Sequence, residues 1–91
     1  MSLWRVQLTS RAIRGMDRLP PRVVPAVVEF LYGPLAENPA RVGKPLRGEL
    51  EGLFGARRGD YRVLYEIYEG PRLVVVHRVA HRGDAYRPPL P

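Results

Sequence analysis

The chain has 91 residues, and 15 lysines and arginines against 9 aspartates and glutamates give it a formal net charge of +6. This length predicts a single domain, residues 1–91, built around one core. The absence of cysteine excludes disulfides, cysteine-bound zinc and thiol nucleophiles. No apolar run approaches the ~20 residues of a membrane helix, and the first residues lack the pattern of a secretory signal, so we expect a cytoplasmic protein that does not enter membranes.

The first part of the chain predicts a strand followed by two helices. Residues 3–8 alternate between apolar and polar side chains, as in a strand with one wet face. Thr9 or Ser10 then caps a short helix. Its apolar positions at helical spacing are Ala12, Ile13, Met16 and Leu19. A second helix follows the prolines at 20 and 21, carries a broad apolar face and ends near Gly33.

The rest of the chain predicts a loop and three strands. Residues 39–51 have no clear period and contain glycine, proline and charge, which indicates a surface loop. Strands are predicted over 52–57, 61–67 and 73–80, separated by turns at Gly59-Asp60 and 69–72. The last strand is nearly all apolar, which favours a central strand covered on both faces. The order β-α-α-β-β-β predicts an α+β fold, in which two N-terminal helices pack on one face of a mostly antiparallel sheet and the other face is wet or covered by a partner.

The basic residues indicate a polyanionic partner. Lys44 is the only lysine among the 15 basic residues, so the other 14 are arginines. The planar guanidinium of arginine binds phosphate or carboxylate through two parallel hydrogen bonds and also stacks on bases. We therefore expect the partner to be nucleic acid or an acidic protein.

Hairpin topology predicts where several of these side chains meet. Arg57 ends one strand, and Arg62 lies just past the turn on the next. If the last strand pairs with residues 61–67, antiparallel geometry puts residues 80–82 beside residues 61–62. The predicted cluster at this end of the sheet consists of Arg57, Arg62, His81, Arg82 and Tyr86.

Such a cluster suits RNA cleavage. Arginines stabilise the charge that develops on the attacked phosphate, histidine transfers protons near neutral pH, and tyrosine donates a hydrogen bond or stacks on a base. No carboxylates or histidines have the spacing of metal ligands, so we expect neither a metal nor a cofactor. Plainer interpretations stay open: an arginine at a turn is commonly solvated, His77 is a structural histidine, and Glu49 or Glu51 is an alternative base.

Two stretches, GKPLRGELEGLFGARRGDYRVLYEI (43–67) and VVHRVAHRGDAYR (75–87), resemble the RelE/ParE superfamily of bacterial toxin–antitoxin toxins, and are most similar to its RelE branch. The resemblance implies a microbial-RNase-like fold and a toxin that cleaves mRNA in the ribosomal A site through 2′-hydroxyl attack, without a metal. It also implies the ribosome and mRNA as partners, together with a small acidic RelB-like antitoxin. In such a hetero-oligomer, operator DNA is bound through the antitoxin.

The resemblance also assigns roles to residues. It places catalytic residues of the family on Arg62, Arg82 and Tyr86, and His81 joins the expected catalytic set from its place at the same end of the sheet. The residues expected to bind RNA phosphate are Arg57, Arg58, Lys44 and Arg47. The founding toxins carry two lysines at positions that correspond to Leu53 and Gly55 here, so the general base is left without an assignment, and His81 is the candidate substitute.

Two other functions remain open at this point. The first is a ParE-like inhibitor of DNA gyrase that cuts nothing, and the second is an inactive homologue that only binds its antitoxin. The presence of Arg62, His81, Arg82 and Tyr86 favours the nuclease. The two missing lysines favour the inactive homologue.

Overall fold

The computed structural model describes residues 3–81, which form one five-stranded sheet with helices on one face. The elements in chain order are β1 (Arg5–Leu8), α1 (Ser10–Asp17), α2 (Val24–Tyr32), α3 (Pro34–Glu37), α4 (Pro39–Val42), β2 (Lys44–Pro45), a 3-10 turn (Gly48–Leu50), β3 (Phe54–Arg58), β4 (Tyr61–Tyr68) and β5 (Leu73–His81). The strand order is β1-β5-β4-β3-β2, with β1 parallel to β5 and every other pair antiparallel. The predicted α+β class is confirmed. No helix within residues 3–81 has the length and apolar character needed to cross a membrane.

Helix α1 lies directly on the backbone of β5. The Thr9 side chain caps the helix by accepting a hydrogen bond from the Ala12 N–H at 3.1 Å. Gly15 permits the close approach, because a Cβ at this position would lie 2.1 Å from the carbonyl oxygen of Val79. This contact orients Ala12 toward the sheet, where it is fully buried. Ile13 is the next residue along the helix and is 51% exposed, so it does not share the buried side of α1 with Ala12.

The segment predicted as a surface loop contains short regular elements. Residues 39–42 form a helical turn, and Lys44 and Pro45 pair with Gly55 and Phe54 of β3 as an edge strand. A two-residue strand is too short to produce a visible alternation, which explains why the sequence pattern missed it. Proline is tolerated here because an edge strand leaves one side of its backbone unpaired.

A β-bulge interrupts the pairing of β4 with β5. Leu64 pairs with Arg78 and Tyr65 pairs with Val76, so His77 is an extra residue on β5. The bulge shifts the alternation, which places both His77 and Arg78 on the face away from α1 and α2. The prediction that β5 is a central strand is confirmed, since it lies between β1 and β4. Its cover on the outer face is incomplete, because of the outward side chains only Ala80 is buried and the others are partly exposed.

Tyr65 anchors the core on the side of the helices. It is completely buried, stacks on Phe54 with 5.7 Å between ring centroids, and donates a hydrogen bond from its hydroxyl to the Pro39 carbonyl at 2.6 Å. Gly43 lets the chain pass beside this hydroxyl, because a Cβ there would lie 2.2 Å from it. Burial raises the pKa of Tyr65 to about 12.

We expect Tyr65→Phe to lower the free energy of unfolding by about 1–3 kcal/mol, because it leaves the Pro39 carbonyl without its hydrogen-bond donor in the interior. Urea unfolding followed by circular dichroism measures this change. Tyr32→Phe is the matched control, since Tyr32 is 54% exposed and its variant should unfold like the wild type. Equal losses in the two variants would contradict the assigned role of the Tyr65 hydroxyl.

Candidate functional site

The sheet presents one face to α1 and α2, and we call the opposite one the outer face. Directly paired residues on neighbouring strands lie on the same face of a sheet. The outer face of β3, β4 and β5 therefore carries Arg57, Arg62, Leu64, Glu66, Val75, Arg78 and Ala80, and the bulge adds His77. The helix-side face carries the buried residues Ala56, Tyr61, Val63, Tyr65, Val74, Val76 and Val79.

Three arginines meet at one end of the outer face. Arg57 and Arg62 are directly paired across the β3–β4 hairpin. Arg78 pairs with Leu64, which makes it a diagonal neighbour of Arg62, within reach of its long side chain. Guanidinium groups placed in this way are able to bind an anion through charge-assisted hydrogen bonds.

A shallow depression lies between these arginines and is lined by Arg62, Leu64, Arg78 and Ala80. Its walls therefore combine two guanidinium-bearing side chains with two apolar ones. The depression is too shallow to enclose a ligand, so an anion such as phosphate would be held on the surface between the two guanidinium groups. Arg78 was missed by the sequence analysis, because a plain alternation along the last strand hides the bulge that turns it to this face.

Two of the predicted site residues lie on the helix-side face instead. Arg58 pairs with Tyr61, and its guanidinium stacks over the ring of Phe30 in α2, 4.7 Å from the ring centroid. His81 also pairs with Tyr61 and is partly buried. Burial raises the pKa of Tyr61, while the charge of Arg58 lowers it and that of Glu29 raises it. Arg58 and His81 therefore share the arginine end of the sheet, but not the face that carries Arg62.

The remaining predicted residues are spread more widely. Lys44 is exposed on β2 and pairs with Gly55, so it extends the row of basic positions across the outer face toward the sheet edge. Arg47 is exposed just before the 3-10 turn. Arg82 and Tyr86 lie outside the described residues. Within residues 3–81, no three His, Asp or Glu side chains lie close enough together to hold a metal ion.

A second polar group on the outer face joins Glu66, His77 and Tyr68. The Nε2 atom of His77 lies 2.7 Å from Oε1 of Glu66, and their side chains are 38% and 32% exposed. The hydrogen bond with His77 and a second one from Tyr68 lower the pKa of Glu66. The sequence analysis treated His77 as a structural histidine, although its alternation with Val75 already places it on the same face as Glu66.

We expect the hydrogen bonds of Glu66 to make the free energy of unfolding depend on pH in the acidic range. A carboxyl group whose pKa is lowered by folding stabilises the native state above its ordinary pKa near 4.5, and this contribution is lost as the pH falls through the lowered folded value. Urea unfolding at several pH values between 7 and 3 measures the free energy of unfolding of the wild type and of Glu66→Gln. The difference between the two proteins should become smaller below pH 5. Parallel curves for the two proteins would contradict this account.

Comparisons with known proteins agree with this architecture. Residues 6–86 match the family of ParE toxins of type II toxin–antitoxin systems. The chain is similar to the toxins RelG and RelE of Mycobacterium tuberculosis, with 54% and 50% identity over 84 residues, which are 92% of this chain and 97% and 87% of those proteins. It also resembles the crystal structure of the RelBE2 toxin–antitoxin complex from Mycobacterium tuberculosis, with 52% identity, a TM-score of 0.85, and coverage of 88% of this chain and 99% of that chain.

The fold and the sequence identities indicate the same family. The sheet order and the helix-side core give the fold, and identities of 50–54% over nearly the full chain extend the likeness to individual residues. The chain therefore belongs to the ParE toxin family of type II toxin–antitoxin systems, within its RelE group.

Proposed function

We propose that this toxin is a ribosome-dependent mRNA endoribonuclease that cuts codons in the ribosomal A site. The observation that carries the proposal is the arginine cluster of Arg57, Arg62 and Arg78 on the outer face. Paired guanidinium groups at directly opposite strand positions suit the phosphate that a nuclease must hold and polarise. A net charge of +6 supports the same kind of substrate.

In the proposed reaction, the 2′-hydroxyl of the RNA attacks the adjacent phosphate and the 5′-oxygen leaves with a proton. Arg57, Arg62 and Arg78 stabilise the additional negative charge of the phosphorane. The resemblance assigns Arg82 and Tyr86, which lie outside the described residues, to the same reaction. His81, which the sequence analysis put forward for proton transfer, ends β5 opposite Tyr61 on the helix-side face, so the proposal leaves the proton-transfer group unassigned.

The proposed regulator is a small acidic antitoxin of the RelB type. Support comes from the relative with 52% identity, which was solved as a toxin–antitoxin complex. An acidic partner complements the excess of arginine, and by binding the folded toxin it also stabilises it. In this proposal the complex resides in the cytoplasm and reaches operator DNA through the antitoxin.

The test is an in vitro translation reaction with a short message, in which cuts are mapped by primer extension with and without ribosomes. We expect cuts within the A-site codon only when ribosomes are present, and their loss when the purified antitoxin is added. Intact messages in every reaction would overturn the nuclease proposal. A gyrase supercoiling assay in parallel would then show whether the toxin acts on DNA topology instead.

A further inference from the structure

The outer face carries a feature that phosphate binding does not explain. Glu66 lies on the same strand and the same face as Arg62, four residues further along, which corresponds to about 13 Å. Its lowered pKa keeps the carboxylate ionised at neutral pH. A carboxylate repels the RNA backbone, so this part of the outer face is unsuited to phosphate.

The neighbours of Glu66 hold its carboxylate in position. His77 approaches one carboxylate oxygen at 2.7 Å, and Tyr68 donates a further hydrogen bond. A carboxylate offers about four lone-pair positions, so acceptor capacity remains for a ligand. The side chain of Glu66 is 32% exposed, and Tyr68 is 42% exposed. The oxygens and an aromatic ring are therefore both accessible at one spot.

We propose that Glu66, His77 and Tyr68 form a subsite that recognises a guanine base of the bound RNA. The inference rests on the proposed function, because the arginine cluster must hold the same strand. RNA bases are recognised through their Watson–Crick edges and by stacking on aromatic rings. Among the four bases, guanine presents two adjacent N–H donors on that edge, and a carboxylate accepts both. On adenine and cytosine a ring-nitrogen acceptor lies beside the amino group, and on uracil two carbonyl oxygens flank the single N–H. Each of these three bases therefore brings at least one hydrogen-bond acceptor against the carboxylate, which repels it.

The spacing fits a single strand of RNA that follows β4. A phosphate held between Arg62 and Arg78 lies near one end of the outer face, and Glu66 and Tyr68 lie toward the other end. A short stretch of extended RNA bridges this distance. Val75, which pairs with Glu66, supplies partly buried apolar surface beside the carboxylate.

The test maps cut sites in the translation reaction on messages that contain every codon. For the wild type we expect guanine to be enriched about fivefold or more at one fixed position relative to the cut, since a bidentate base contact discriminates at least this strongly. Glu66→Gln should lose this enrichment, because the glutamine amide presents a donor to the guanine donors. Glu37→Gln is the matched control with the same change of charge, lies on α3 and should keep the wild-type preference.

A second measurement uses only the wild-type protein, so it does not depend on the folding of a variant. Inosine lacks the 2-amino group of guanine, and its substitution at the preferred position should reduce cutting several-fold. Cutting without any guanine preference, an unchanged preference in Glu66→Gln, or equal cutting at inosine and guanine would each overturn the subsite while the nuclease proposal stands. A wild type that cuts no message would overturn the nuclease proposal and the subsite with it.

Discussion

Replacing Arg62 by alanine should reduce ribosome-dependent cutting about 100-fold or more, because the variant loses a guanidinium that acts on the phosphate as charge develops. Arg62 is directly opposite Arg57 and borders the depression on the outer face, so no other side chain of β4 can take its place. Primer extension on a single message, with toxin concentration varied over several orders of magnitude, gives the ratio of rates.

The control for this variant is Arg11→Ala. Arg11 is exposed on α1, on the helix side of the sheet, and its loss changes the net charge by the same amount. We expect Arg11→Ala to cut at nearly the wild-type rate and Arg62→Ala to retain the wild-type melting temperature within a few degrees. Similar rates for Arg62→Ala and the wild type would exclude the outer face as the place of phosphate binding.

Gly15→Ala should have the largest effect on stability. Its new Cβ would lie 2.1 Å from the Val79 carbonyl oxygen, and neither partner is a flexible side chain that can move aside. We expect a loss of about 3 kcal/mol from overpacking. In a domain of this size that loss lowers the melting temperature by roughly 15 °C.

The sign of this effect makes the experiment decisive. Alanine in place of glycine inside an exposed helix usually stabilises it by about 1 kcal/mol, so a rise in the melting temperature would show that α1 does not lie against β5. Gly70→Ala is the control, because nothing lies within 4 Å of a Cβ at that turn position. Differential scanning calorimetry of the three proteins measures both changes.

The sequence predicted the elements with a strong period and the pairing that follows from tight turns. Antiparallel pairing across residues 59–60 and 69–72 was enough to bring Arg57 close to Arg62, and residues 80–82 beside residues 61–62. The face on which a side chain lies was harder to predict. The bulge at His77 adds one residue to β5, and a pattern of period two has no means to indicate such an insertion.

The same limit applies to the candidate site. The sequence grouped Arg58 and His81 with Arg62 because they are close along the hairpins, but one step along a strand moves a side chain to the opposite face. Arg78 was missed because its face depends on the bulge, whereas Glu66 and His77 share a face by simple alternation and their contact was overlooked. Arg82 and Tyr86 remain predictions that lie outside the described residues.

The two edge strands of the sheet, β2 and β1, affect the tendency of the protein to self-associate. A strand margin with free N–H and C=O groups is a template on which further copies can add, and it is a common origin of aggregation. Here β2 has only two residues, one of them a charged lysine and the other Pro45, which has no N–H to donate. At the opposite margin the Trp4 N–H, next to β1, is already bonded to the Ala36 carbonyl at 2.9 Å. The β2 edge is thus a poor template for further copies, and at the β1 edge the bond from Trp4 protects the entry to the strand.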